Sequence, residues 1–180
     1  MSDWITGNRY LTQSEMENNA ELLTIQFLKW GWSKNAIAAM LGNMQSESSI
    51  NPGIWESLQP FEGGYGLVQW TPYTNYSDWA GPGWEDNGPR ECERIQWEMA
   101  HGEQWIATSD YPMPFLEFAT SNADPGYLAQ AFLRNYERPK DPNQPWRSTQ
   151  AEAWFEFIGG IHVIPVWLLY KMSENSVKVV

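Results

Sequence analysis

Gly42-Asn43-Met44-Gln45-Ser46-Glu47-Ser48-Ser49-Ile50-Asn51-Pro52-Gly53 is followed, ten residues later, by Gly64-Tyr65-Gly66-Leu67-Val68-Gln69-Trp70-Thr71. These two segments decide how the chain is read. The first closes a helix. Ser33 is placed to cap that helix, and Ile37, Met40 or Leu41, and Met44 form its inward face. Asn51-Pro52-Gly53 stops it, because the residue before a proline leaves the helical region. Met40, Met44 and Glu47 are spaced four and three, which puts Glu47 on the apolar face near the C-terminal end. The second segment is too rich in glycine for a helix, with Gly63, Gly64 and Gly66 and with Gly53 and Pro60 upstream. Residues 65–71 are short, aromatic and β-branched, and predict a small β-hairpin or irregular β region beside the Glu47 helix.

Helical patterns dominate on either side. Thr12 and Glu15 have capping-box spacing, and Met16, Ala20, Leu23, Phe27 and Trp30 follow at steps of four and three until Gly31. A third helix is predicted over 90–106, with Cys92, Ile95, Met99 and Ile106 on one side. Asp124-Pro125 pairs an N-cap with proline at the first helical position and starts a helix running to about Glu137. Three prolines mark 139–146 as an extended loop, and Thr149 and Glu152 predict a last helix that Gly159-Gly160 ends. The predicted fold class is α+β, mainly helical.

Composition narrows the function. The 180 residues hold 11 Lys and Arg against 22 Asp and Glu, a formal net charge of −11. Phosphate binding needs a basic surface, so nucleic acid is not the expected partner, and an anionic lipid surface is equally disfavoured. No apolar run approaches the roughly 20 residues of a membrane span. The N-terminal segment lacks the apolar core of a secretion signal, so none is expected. One cysteine, Cys92, forms no internal disulfide and reads as a buried thiol. His101 and His162 stand alone, so no metal site and no cofactor is expected. Twelve Trp, 8 Tyr and 7 Phe are an excess that suits a core, an interface or a sugar groove.

Glu47 carries the chemistry. A helix-terminal carboxylate is either solvated or held in a partly apolar cleft. Burial without a cationic partner favours the protonated form, and the negative helix end pushes the same way. A glutamic acid that keeps its proton near neutral pH is what protonates the leaving oxygen of a glycoside.

The ordered pair of segments resembles the signature of the lysozyme-like superfamily, in which Glu-Ser at a helix end is followed by Gly-Leu-x-Gln across the cleft. Together with Tyr10-Leu11-Thr12, Ser14-Glu15-Met16, Tyr136-Glu137-Arg138-Pro139, Asn143-Gln144-Pro145 and Gln150-Ala151-Glu152, it resembles one group within it. That group is the lysozyme domain of the tail-knob peptidoglycan hydrolases of phi29-type phages, and the resemblance covers about residues 9–158. It implies a lysozyme-like fold over 1–159, a short apolar tail of unassigned role over 160–180, and a muramidase acting on peptidoglycan glycan strands. The implied location is the phage tail, made in the host cytoplasm and acting on the host wall, with other tail proteins as possible partners. By position, Glu47 matches the general acid, and Ser48, Gly66, Gln69 and Tyr136 match residues that line the saccharide cleft.

The residues themselves add detail. Gln69 offers both a donor and an acceptor to a sugar. Tyr65 and Trp70 offer flat faces, but strand alternation puts residues five apart on opposite sides, so at most one of them faces substrate. A second carboxylate is open between Glu56, Glu62 and Asp78. Glu62, among glycines, is the first choice, against a plain solvated loop charge. Glu137 beside Arg138 reads as a local ion pair. A lytic transglycosylase, a free endolysin, and a catalytically silent wall-binding module of the tail tip are the competing functions.

Overall fold

The computed structural model describes residues 3–161. Local capping signals set several helix ends. α1 (Gln13–Lys29) starts where the Glu15 carboxylate accepts the Thr12 backbone N–H at 2.9 Å. α2 (Lys34–Ser48) starts where Ser33 Oγ accepts the Ala36 N–H at 3.0 Å. α6 (Pro125–Phe132) is capped by Asp124, which accepts the Tyr127 N–H at 2.9 Å. Between them lie α3 (Thr74–Ala80), α4 (Gly88–His101) and α5 (Phe115–Thr120), and α7 (Trp146–Ile158) closes the fold.

α2 is the centre. Residues 36–44 are buried on every face, so the one-sided stripe expected from sequence is a core helix wrapped all round. α7, α6 and α1 pack against it. Close approach of α7 depends on Gly42. A Cβ built there would lie 2.7 Å from the Ala151 N and 2.8 Å from the Arg147 carbonyl oxygen. No side-chain shift relieves a collision with backbone. Asn43 ties the layers together, its Nδ2 donating to the carbonyls of Ala39 at 2.9 Å and Ala129 at 3.0 Å.

Several expectations are corrected. The β-hairpin shrinks to two isolated antiparallel bridges, Trp55 with Tyr65 and Tyr65 with Trp70, and no strand forms among the described residues. The cause is a tight turn. Gln69 N–H bonds the Gly66 carbonyl at 3.1 Å, and both residues have positive φ, +50° and +77°. The chain folds back before a ladder has room to start. α4 ends at Gly102 in the left-handed conformation, so Ile106 lies beyond it and is exposed. α6 runs into a π-helical turn over Leu133–Glu137, closed by Arg138 at φ +50°. α7 starts at Trp146, ahead of the expected Thr149 cap. The apolar tail expected over 160–180 lies, from 162 onward, outside the described residues. Among the described residues, no helix is long and apolar enough to cross a membrane.

Replacing Gly42 with alanine tests the close approach of α2 and α7. Overpacking is expected to cost about 1–3 kcal/mol. That exceeds the roughly 1 kcal/mol by which alanine improves helix propensity over glycine. A urea midpoint equal to or above that of the parent protein would show that α7 does not ride on that glycine.

Candidate active site

A cavity of about 750 Å³ opens where the end of α2, the 54–57 and 68–71 segments and the π turn meet. Glu47 stands in its wall, one residue before the end of α2. The chain then leaves α2 through Ser49 and Ile50, both left-handed at φ +51° and +53°. A β-branched residue in that region is an outlier that local contacts must hold in place, and such strain gathers at functional sites. Here Ser49 Oγ accepts the Leu11 N–H at 2.9 Å, and Asn51 Nδ2 donates to the carbonyls of Gly7 and Arg9.

Glu47 has a cation against it, where the sequence reading expected none. Arg147 Nη2 donates to Glu47 Oε1 at 2.5 Å, with the side chains 5% and 21% exposed respectively. The same guanidinium donates from Nη1 to Asn43 Oδ1 at 3.0 Å and from Nε to Gln144 Oε1 at 2.7 Å. Two further bonds zip the end of α2 to α7, Ser46 to Gln150 and Trp154 to Gln45, both at 2.8 Å. The Glu47 carboxyl is therefore aimed from both helices.

The opposite wall rests on two buried carboxylates of α4 that the sequence reading passed over. Glu98 accepts Trp70 Nε1–H at 2.9 Å, Arg94 Nε–H at 2.9 Å and the Tyr136 hydroxyl at 2.5 Å. Glu91 Oε2 accepts the Leu67 N–H at 2.7 Å, while its Oε1 is sealed without a partner among the described residues. Burial, the largest cause in both, pushes these carboxyls above the usual range. Gly66 is the matching position, since a Cβ there would fall 2.5 Å from Glu91 Oε2.

The sequence-predicted residues separate into two groups. Glu47, Gln69, Trp70 and Tyr136 line the cavity. Gln69 commits its amide hydrogens to the carbonyls of Gly66 at 2.9 Å and Ile54 at 3.2 Å, which leaves the carbonyl oxygen for a ligand. Trp70 and Tyr136 reach the cavity only at an edge, since both are nearly fully buried. Ser48, Gly66 and Tyr65 support the site from behind. The Ser48 hydroxyl bonds the Leu67 carbonyl at 2.8 Å, tying α2 to the opposite wall. Tyr65 accepts the Asp86 N–H at 2.8 Å and lies buried in an aromatic cluster with Trp55, Tyr76 and Trp84. Tyr65 and Trp70 do not take opposite sides, because the turn pairs them and both stack on Tyr76.

Glu62 lies outside the cavity on an exposed loop, and Asp78 is exposed on α3. Gly63 turns the chain at φ +70°, and Glu56 rather than Glu62 folds back, accepting the Gly64 N–H at 2.7 Å. Glu56 and Glu137 are the carboxylates that share the cavity with Glu47. Glu137 is not the simple partner of Arg138 expected from sequence. Its Oε1 is sealed without a hydrogen-bond partner among the described residues, and Arg138 instead donates to the backbone carbonyls of Gln104 and Asn135. Burial first and the Glu47 charge second push the Glu137 carboxyl well up. The arrangement offers three carboxyls, Glu47, Glu56 and Glu137, with Arg147 bound to the first and Arg138 in the lining, beside an acceptor on Gln69 and polar backbone, in an open groove suited to a neutral polar chain.

The chain is similar to known proteins. The sequence model of the family described as phage tail lysozyme matches residues 18–158. The chain is also similar to morphogenesis protein 1 of Bacillus phage B103, 48% identical over 159 residues. The match covers 85% of this chain and 42% of that protein, so the chain spans less than half the length of this relative.

The buried carboxylates of α4 make stability depend on pH. Each holds its proton more tightly folded than unfolded. Their contribution is therefore complete below the ordinary value of about 4.3 and is lost as pH rises through the raised folded value. The melting temperature is expected to fall between pH 5 and pH 8. Glu91→Gln, which keeps an acceptor for Leu67, is expected to flatten that slope. Melting temperatures that climb over this range, or a slope indifferent to Glu91→Gln, would contradict the assignment.

Proposed function

The chain belongs to the phage tail lysozyme family, and from that premise we propose that it is a peptidoglycan-degrading glycoside hydrolase with Glu47 as its acid. The observation that carries the reading is the place of Glu47. It closes the buried central helix and stands in the wall of a cavity of about 750 Å³, opposite the free acceptor of Gln69. The bond cut is the β-1,4 link between N-acetylmuramic acid and N-acetylglucosamine. Glu47 gives its proton to the glycosidic oxygen as the carbon–oxygen bond breaks, and water adds to the sugar carbon. Gln69 receives an N–H or O–H of the bound sugar through its carbonyl oxygen. Ser48, Gly66 and Tyr65 act on the substrate through the geometry of the walls, with Trp70 and Tyr136 held on Glu98.

Hydrolysis is preferred to transglycosylation because further carboxylates, Glu56 and Glu137, line the same cavity and are available to orient water. The relative's description as a phage morphogenesis protein supports a place on the virion tail, with the host wall as substrate during infection. Glycan strands are the partner. Neighbouring tail proteins are the natural second contact.

Digestion of purified peptidoglycan, with products identified by mass, tests this reading. New reducing ends are expected, with none of the 1,6-anhydro termini that a transglycosylase leaves. Glu47→Gln keeps an acceptor for Arg147 and is expected to fold, while losing about 10²–10⁴-fold in rate. Full activity in a folded Glu47→Gln protein would remove Glu47 from the role. No fragments from the parent protein would favour a silent wall-binding module.

A further inference from the structure

We propose that Tyr10 is a substrate-binding residue: its ring is the flat platform on which one pyranose of the glycan strand stacks at the rim of the cavity. The inference rests on the reading of the cavity as the place where a glycan strand is cut, and it supplies the contact that holds a sugar ring there.

Four aromatic side chains line the cavity: Tyr10, Trp55, Trp70 and Tyr136. The last three are spent on packing, at 6%, 4% and 1% exposed, and have no face left for a ligand. Tyr10 is 66% exposed and takes no part in the hydrophobic core. A single exposed ring on a protein surface is ordinary. What sets this one apart is its place in a groove and the way its backbone is held. Arg9 and Leu11, on either side of it, are bonded to the turn by which the chain leaves α2. Asn51 Nδ2 donates to the Arg9 carbonyl at 2.6 Å, and the Leu11 N–H donates to Ser49 Oγ at 2.9 Å. Ser49 follows Glu47 by two positions, so the ring and the acid are fixed to the same turn. Asn8 reaches the other way. Its Oδ1 accepts the Trp55 N–H at 3.1 Å and its Nδ2 donates to the Leu58 carbonyl at 3.0 Å, on either side of the lining residues Glu56 and Ser57. Arg9 is itself clamped at 2.6 Å to Glu15, the carboxylate that caps α1.

Residues 8–11 therefore bridge the end of the acid's helix and the neighbouring wall, and the ring they carry stands on a frame that needs little ordering when a ligand arrives. A pyranose presents C–H groups on its faces and hydroxyls around its edge. It matches a flat ring of few rotamers bordered by polar groups, here Ser57 and the free carbonyl oxygen of Gln69 in the same lining. The ring meets the face of a sugar and not the breaking bond. Its contact is the same before and during reaction, so its contribution belongs in KM and not in kcat.

Calorimetric binding of a soluble glycan fragment of peptidoglycan tests the platform, with Glu47→Gln as the background so that nothing is cut. Adding Tyr10→Ala, or Tyr10→Leu, which keeps apolar bulk without a flat face, is expected to weaken binding about tenfold. Tyr10→Phe and Tyr10→Trp keep a flat ring and are expected to hold binding within about twofold. In the enzyme with Glu47 intact, Tyr10→Ala is expected to raise KM by a similar factor, with kcat and the melting temperature unchanged. Tyr10→Ala and Tyr10→Leu that bind like the background, or a Tyr10→Ala that lowers kcat with KM unmoved, overturn the proposal. So does a loss as large in Tyr10→Phe and Tyr10→Trp as in Tyr10→Ala. A background that binds no fragment also overturns it, and digestion by the parent protein then shows whether the hydrolase reading stands. A parent that binds the fragment and cuts none of it removes the hydrolase reading, while the same binding comparison still decides the platform.

Discussion

A guanidinium buried between two helices must have its hydrogen bonds met, and in this fold that requirement falls on Arg147. Leaving such a cation unpaired costs several kcal/mol. It is satisfied by Gln144 in the loop before α7, by Asn43 in the middle of α2 and by Glu47 at the end of α2. Each of these contacts fixes one part of the site. Asn43 also reaches α6 through Ala129, so the same knot sets where α6 leads into the π turn. The depth at which Arg147 sits follows from Gly42, where the backbone of α7 comes close enough to leave no room for a Cβ. Glu47 therefore occupies the end of a lever whose position the core determines.

The other wall is organised by buried acidic side chains. Glu91 and Glu98 stand seven apart on α4 and face the 64–70 turn and Tyr136, where they accept from a backbone amide, an indole and a phenol. Acidic residues here serve as buried acceptors for groups that a tight, strand-free loop leaves unpaired. The aromatic layer behind them, with Tyr65 and Trp70 both stacked on Tyr76, fills the space a β-sheet would have filled. Most of the aromatic excess is therefore packing. The exposed aromatics nearest the cavity are Tyr10, which lines it, and Phe61 close by against Trp55.

What was legible in the sequence was local. Thr12 with Glu15, Ser33, and Asp124 with Pro125 mark helix starts because a cap needs only its own neighbours to form. The place of Glu47 was legible for the same reason, from a four-and-three spacing along one helix. The same spacing runs through Glu91, Ile95 and Glu98, so the buried carboxylates of α4 had a signal in the sequence that the search for an apolar stripe passed over. Arg147 had none. Its meaning arises from a contact with a residue 100 positions away, and no local pattern encodes that. Glu62 looked the better second carboxylate because glycines flank it. Those glycines turn the loop outward, while the π turn brings in Glu137, which read as the partner of its neighbour. Alternation failed for Tyr65 and Trp70 because it presumes an extended strand, and a turn separates them.

The central claim is that Arg147 holds Glu47 in the cavity wall as the group that meets the glycosidic oxygen. A crystal structure of the Glu47→Gln protein with a bound glycan fragment of peptidoglycan addresses it most directly. The account predicts a glycosidic oxygen about 2.6–3.2 Å from the side chain at position 47. A glycan seated outside the cavity, or one whose glycosidic oxygens all lie far from position 47, would contradict it.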